Sequence, residues 1–460
     1  MKLKLIVFVL LMVGCQNRVI EKKLNWSSDS LTPKPRLEEI TGFSLEQKIK
    51  LNTHEINFYQ QEIGELKVDA SLVKVLSEKS EKEDKLVVIN GNYFEDPHAN
   101  LNEIEKMKKD FSFAFSHFIE ARPDLRKMKL LKQEIVLSKS SRKIEPMNSF
   151  IVEDPSGRIW DIRVKSRNHF VSLKKVGSNF ENNGSNLEAQ LFPRGPKQSQ
   201  ISRVQLFDLN LGKILVGAGL KVSSVKNLAP VSSEELLSLT PSNEKFDQVQ
   251  VFYFSQQALR WTEEKLKIKL NSDLDIQVHS GAPEKTNIAF YYDHRVRLGS
   301  GDDELYAKIP QDPSIVEHET FHAVIDQMCR LPFEGEGGSI NEGLADILTA
   351  FHLAQPNLGE VAFLKGEYKR TVENKAKYTD RNGSLYHDSL ILSGLMWELR
   401  NKIGEEKTLN LTYNLLLKLG PNSNFSELRK IIQMEIKNIY STKEYEVASQ
   451  ILKERAWWSD

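Results

Sequence analysis

The constraint that bears hardest on this chain is a five-residue run, His318-Glu319-Thr320-Phe321-His322, in a sequence holding only 10 histidines. On an α-helix positions i and i+4 share a face, so both imidazoles can reach one ion while Glu319 can reach a water on that ion. An amphipathic helix with two ordinary histidines is the plainer reading of these five residues. The segment that follows argues for the ion. Glu342 follows His322 after 19 intervening residues in Asn341-Glu342-Gly343-Leu344-Ala345-Asp346, and Asp346 lies on the same helical face as Glu342. A catalytic zinc takes three protein ligands and keeps its fourth position open. One of these carboxylates can bind metal while the other accepts the free ring N–H of a ligating histidine. Between the two motifs, Leu331-Pro332-Phe333-Glu334-Gly335-Glu336-Gly337-Gly338 supplies the breakers that end one helix and start the next. Two helices meeting at an ion are expected.

At 460 residues and 52.7 kDa the chain exceeds one hydrophobic core, and two or three domains are expected. A 40% hydrophobic and 27% charged composition with mean hydropathy −0.42 excludes a polytopic membrane protein and a wholly disordered one. Basic and acidic residues both total 63, which argues against a nucleic-acid partner. That balance hides a division. With Lys2 and Lys4 set aside, residues up to 242 carry 35 basic and 30 acidic side chains, and those after it 26 and 33. Opposite signs predict that the N-terminal part docks on the C-terminal part.

Lys2 and Lys4 precede a short apolar run, Leu5 to Val13, that suits a secretory signal. It ends in Leu11-Met12-Val13-Gly14-Cys15, which resembles a bacterial lipobox. Residues 1–14 are therefore expected to be a lipoprotein signal peptide, with Cys15 lipidated and anchoring the chain to the membrane. Gln16 after Cys15 implies the outer membrane of a bacterial envelope. Residues 15–40 read as a polar tether. Cys329 then stands alone and reads as a small buried hydrophobe.

Residues 41–180 mix helices and strands. Phe150 to Asp154 and Trp160 to Val164 flank Pro155-Ser156-Gly157 as a hairpin, and the charged stretches Leu76 to Leu86 and Lys106 to Arg126 read as solvated helix faces. The Asn/Gly/Pro/Gln-rich stretch 177–200 is the candidate domain boundary, and 181–242 reads as a linker and β-rich segment with runs at Val204 to Leu209 and Ile214 to Val222. A metal-binding domain is expected over 243–460. It opens on a long helix, Phe246 to Leu266, and ends in four helical patterns near 388–403, 406–419, 425–439 and 442–457.

From the spacing of His318, Glu319, His322, Glu342 and Asp346, the chain resembles the thermolysin-like zinc metallopeptidases. Ile288-Ala289-Phe290-Tyr291 and Gly299-Ser300-Gly301-Asp302 lie where that family has its edge strand and its glycine/aspartate-rich turn. The convincing stretch is about 245 to 400, and residues 41–180 look more loosely like an inhibitory propeptide. The resemblance implies an α+β fold: a two-lobe metallopeptidase with an α-rich C-terminal lobe, preceded by an α+β propeptide-like domain. It implies one zinc ion held by His318, His322 and Glu342, with Glu319 as general base and Asp346 orienting His318. Zinc would acidify its water, and Glu319 would move the proton to the leaving amine of a peptide or protein substrate. His387 would assist the oxyanion.

The chain also departs from the family pattern. An Asp five residues before His387 is replaced by Asn382, with Asp380 the nearest upstream. The oxyanion-assisting Tyr falls on Phe333, for which Tyr386 is a candidate substitute. The substrate-holding Asn falls on Ile288, with Asn287 one residue off and so facing the other way. Ser314 and Leu353 occupy places of calcium-binding carboxylates, so calcium is not expected. The leading reading is an envelope-anchored zinc endopeptidase. A zinc-binding pseudo-protease acting as an envelope scaffold is the alternative.

Overall fold

The structure is a computed structural model, and it describes residues 20–28, 42–63, 65–80, 84–95, 101–121, 126–139, 144–153, 159–164 and 184–458. Residues 1–14, expected to be a signal peptide, and Cys15 lie outside these residues. The described residues fall into two compact units, one within 20–164 and one over 184–458.

The first unit is built on an eight-stranded sheet of β1 (Ile20–Ser27), β2 (Phe43–Lys50), β3 (His54–Ile63), β4 (Leu66–Glu78), β5 (Lys85–Glu95), β6 (Lys129–Lys139), β7 (Ile144–Glu153) and β8 (Ile159–Val164). Strands β2 to β5 pair antiparallel in sequence, β1 adds beside β5, and the β6–β7–β8 meander joins through a parallel contact of Val68 with Leu137. Alternation fixes the buried face of β3, where Ile56 and Phe58 are fully buried, whereas β7 is buried on both faces, with Phe150, Ile151 and Val152 all fully buried. Helices α1 (Leu101–Asp110) and α2 (Ala114–Ala121) lie in the connection from β5 to β6.

Two expectations are corrected here. Residues 20–27, assigned to the tether, form β1, because Leu24 alternates into the cluster of Val73, Val75 and Ile89 despite its polar neighbours. Within the charged stretch Leu76 to Leu86, expected to be helical, residues 76–78 end β4 and 85–86 begin β5, with Leu76 opposite Val88 and Glu78 opposite Lys85. The hairpin of β7 and β8 and the helices after Leu101 follow the expected pattern.

The second unit begins with a ribbon of β9 (Ser185–Leu191) and β10 (Ser202–Leu209). β9 lies inside the stretch expected to be linker, because Ala189 and Leu191 bury against Leu206 and Leu209. The run Ile214 to Val222 is two strands, β11 (Leu215–Gly217) and β12 (Leu220–Ser224), divided by a turn in which Ala218 and Gly219 take φ of 51° and 75°. Helix α3 (Glu244–Trp261), capped by Asn243, then crosses to β13 (Leu274–Val278), which runs parallel to β12. It prolongs by one π-helical turn, Thr262–Leu266. Two buried glutamines clamp α3 to the ribbon: Gln250 exchanges bonds of 2.9 and 3.0 Å with the Phe192 backbone, and Gln256 bonds of 3.0 and 2.7 Å with Phe207. Strand β15 (Arg295–Leu298) pairs parallel to β13, and β14 (Ala289–Tyr292) closes the sheet as its edge.

Against this sheet stands α4 (Pro313–Cys329), started by Pro313 at its first position and by the Asp312 carboxylate, which accepts from the N–H groups of Ser314 and Ile315. All its residues except Ile315 are buried, so it is the central helix of the unit. Arg330, at φ 53°, stops it, and α5 (Gly335–Leu353) follows after five residues of turn. The C-terminal part is helical as expected: α6 (Leu385–Ile403), α7 (Glu405–Lys418), α8 (Phe425–Ile439) and α9 (Thr442–Glu454). Cys329 is fully buried and its Sγ donates to the Leu416 carbonyl at 3.2 Å. Among the described residues no helix is long and apolar enough to cross a membrane.

Candidate metal centre

Helix periodicity brings His318 and His322 to one face of α4, and α5 packs across that face with Glu342 pointing into it. His318 Nε2 lies 3.1 Å from His322 Nε2 and 3.2 Å from Glu342 Oε2, and His322 Nε2 lies 3.5 Å from Glu342 Oε1. The three donor atoms fall within 4.8 Å of one another, the one such group among the described residues. Two imidazole nitrogens and a carboxylate oxygen are the donor set of a catalytic zinc.

The outer nitrogens are fixed as well. His318 Nδ1 donates to Asp346 at 2.9 Å, and His322 Nδ1 donates to Asn341 Oδ1 at 2.9 Å. Both rings are thereby held in the tautomer that turns Nε2 toward the ion. Asp346 is fully buried and carries a second partner, Arg370, whose Nε and Nη2 approach its two oxygens at 2.7–3.1 Å. Arg370 sits on the short strand Arg370–Thr371. No sequence signal marks it, since it is 24 residues from Asp346 in an irregular segment. Asn341 was signalled only by its place before Glu342.

Burial and charge act together on these groups. Burial alone would push the His318 imidazole down, but the bonds to Asp346 and Glu342 outweigh it and hold its pKa up at about 10. Burial takes His322 down to about 4. Glu342 stays ionised at about 2 because His318 and His322 overcome its desolvation. Asp346 is likewise depressed, its desolvation outweighed by Arg370 and His318. A cation entering here must displace the His318 proton, so its affinity should rise with pH by about tenfold per unit below the His318 pKa. Competition titrations with a zinc chelator between about pH 6 and 8 measure this; a pH-independent constant would contradict it.

Glu319 is buried at the open side of the trio. Desolvation pushes its carboxyl up to about 7, opposed by His318 and by a hydrogen bond from the Tyr291 backbone on β14. The Tyr291 ring stacks on His322 at 6.2 Å and 24°, and its hydroxyl donates to Asp326 at 2.8 Å. Phe333, 39% exposed, lies 6.5 Å from the His322 ring and 5.7 Å from Tyr292. It gives this rim an apolar surface where a hydroxyl was sought. Tyr386 lies nearby: the Arg370 guanidinium is 5.9 Å from its ring, and its pKa is raised by burial and by the Glu342 and Glu319 charges.

The remaining candidates fall outside the trio. His387, in the first turn of α6, is held by its neighbour Asp388, Nδ1 to Oδ1 at 3.0 Å, and its side chain is 44% exposed. Asp380 instead accepts from the Lys377 backbone at 2.8 Å. The Asn287 amide is spent on Asp302, with bonds of 2.6 and 2.9 Å, and Ile288 is buried. Ser314 bonds Asp312 and the Gly359 backbone, while the Leu353 carbonyl accepts from Arg194 at 2.8 Å.

The His-His-Glu trio with an adjacent carboxylate has the donor set of a catalytic zinc site. In comparison with known proteins, the chain is similar to thermolysin-like zinc metallopeptidases. It is 27% identical over 191 residues to a zinc metalloproteinase of Listeria monocytogenes, 36% of this chain and 37% of that protein. It is 28% identical over 211 residues to the thermostable neutral protease NprT of Geobacillus stearothermophilus, and 27% identical over 211 residues to thermolysin of Alicyclobacillus acidocaldarius, each match spanning 39% of this chain and 38% of the relative. The matches thus cover well under half the length of these relatives. The solved precursor of protealysin from Serratia proteamaculans aligns with a TM-score of 0.45 and 18% identity, over 54% of this chain and 90% of that one, too loosely to carry an argument. No protein-family model matches the chain.

Proposed function

We propose that this protein is a zinc-dependent endopeptidase, with His318, His322 and Glu342 holding the ion and Glu319 acting as general base. The observation that carries this reading is the convergence of three ligand atoms within 4.8 Å beside a buried carboxylate raised to about 7. A purely structural metal would have no use for that carboxylate. Zinc, when bound, supplies Lewis-acid polarisation of the scissile carbonyl and acidifies water. Glu319 accepts the water's proton and returns it to the departing amine. Strand β14 is the edge of its sheet and lies beside Glu319, where an extended peptide could be laid along it. Arg370 keeps Asp346 charged, and so keeps His318 oriented. His387 and Tyr386, in the first turn of α6, are the candidates to donate to the developing oxyanion.

The reading is tested by casein cleavage before and after removal of zinc with a chelator. Cleavage should vanish and return on adding zinc; cleavage that persists in fully metal-free protein would contradict it. Phe333 favours the second reading, a zinc-binding protein without proteolysis, because it lacks the hydroxyl. If the endopeptidase reading holds, Phe333→Tyr should raise kcat by up to about tenfold with little change in KM, part of what an oxyanion donor is worth. A fall in kcat would show that the apolar rim is itself needed.

We also propose that the chain is anchored to the bacterial envelope, and to the outer membrane, through lipid on Cys15. The support is the sequence Leu11 to Cys15. Radiolabelled palmitate should enter the wild type and not Cys15→Ala; equal labelling of both would refute the anchor.

A further inference from the structure

A second set of chemically linked side chains lies in the same unit, on elements other than α4 and α5. Ser224 is the last residue of β12, His279 follows the end of the parallel strand β13, and Asp247 is in the first turn of the helix α3 that connects them. In such a β-α-β crossover the C-terminal ends of the two strands and the N-terminus of the helix come together, the edge at which sites in parallel sheets collect. Ser224 Oγ is 2.7 Å from His279 Nδ1, and His279 Nε2 is 3.0 Å from Asp247 Oδ2.

The proton positions follow from the partners. The Asp247 carboxylate accepts at Nε2, so that nitrogen carries the ring proton and Nδ1 is left as the acceptor. The Lys226 backbone N–H donates to Ser224 Oγ at 3.0 Å, so the serine's own hydrogen is free to be given to His279. Gln311 Nε2 donates to the second Asp247 oxygen at 2.8 Å and fixes its orientation. His279 is 2% exposed, Asp247 and Ser224 are both half-buried, and Val225 beside Ser224 is 39% exposed. The base is therefore enclosed, while the serine and the acid that flank it are only partly buried, and the serine–base–acid order is that of an activated serine.

We propose that Ser224 is a second reactive centre, a nucleophile activated by His279 and Asp247 that takes short-chain activated esters. In the acylation step Ser224 Oγ bonds to the carbonyl carbon and its proton passes to His279 Nδ1. The carbon–oxygen bond to the alcohol then breaks, and the alcohol leaves with that proton. Water, deprotonated in turn by His279, releases the carboxylic acid and restores the serine. Nothing in this sequence passes through the zinc ligands.

The test is labelling of the full folded chain with a fluorophosphonate probe, sited by peptide mass spectrometry, with p-nitrophenyl acetate hydrolysis measured in parallel. Label is expected on Ser224 in wild type and in Glu319→Gln alike. Ser224→Ala should lose it while keeping casein cleavage, and His279→Gln should slow it by at least about tenfold. Asp247→Asn, which preserves size, serves the same purpose if His279→Gln does not fold. Absence of label on Ser224 in folded wild type would overturn the proposal, as would equal rates in wild type and a folded relay variant; either result would leave the three groups a structural strut.

Discussion

Glu319→Gln is expected to lower peptide cleavage by about 10²–10⁴-fold while leaving zinc content unchanged. The substitution keeps the size of a side chain that is buried beside the ligands, so the helix and the trio should persist. It removes the one group positioned to take a proton and give it back. It also removes a carboxyl that burial already holds at about 7, and an uncharged amide should be no costlier to bury there. The prediction therefore separates chemistry from folding: kcat falls, Tm stays or rises, and bound zinc remains near one per chain. Parallel loss of zinc would mean that Glu319 acts in holding the ion instead.

The second large effect is expected from Asp346→Ala. Asp346 is fully buried between His318 and Arg370, and deleting it frees the ring of one ligand and strands a guanidinium. Losing the outer partner of a metal-bound histidine typically costs 10–100-fold in affinity, so zinc affinity should fall by about that factor. Breaking a buried ion pair from one side costs about 3 kcal/mol, the low end of the usual range because the Arg370 side chain keeps 23% exposure. Chelator competition reads the first effect and thermal melting of the metal-free protein the second. Arg370→Ala in the same background should recover part of the stability, because the stranded charge is gone, without recovering affinity. Failure of that recovery would place the cost elsewhere.

How far these effects could be foreseen depends on whether the responsible contacts are local in the chain. His318, His322, Glu342 and Asp346 each follow from positions three or four apart on two helices, so their convergence was legible before any fold was known. Asn341 was half visible through its neighbour. Arg370 and Tyr291 were not, because one reaches the site from an irregular segment and the other from a sheet edge, and neither spacing is fixed by helix geometry. The same rule governs the fold. The four C-terminal helices announce themselves by apolar periodicity, whereas β1 hides its inward Leu24 among lysines and an asparagine. Glu78 and Lys85, within the charged stretch, pair across β4 and β5, whose strand character comes from the residues flanking them. Sheet partners supplied from far along the chain decide such cases.

The central claim, that this site holds zinc in order to cleave peptide bonds, is tested most directly by measuring zinc and casein cleavage on the same preparation of purified wild-type protein. One equivalent of zinc per chain, with cleavage that tracks zinc occupancy as the ion is removed and returned, is the predicted result. A chain without stoichiometric metal would contradict the site, and a fully loaded chain that cleaves nothing would contradict the enzyme.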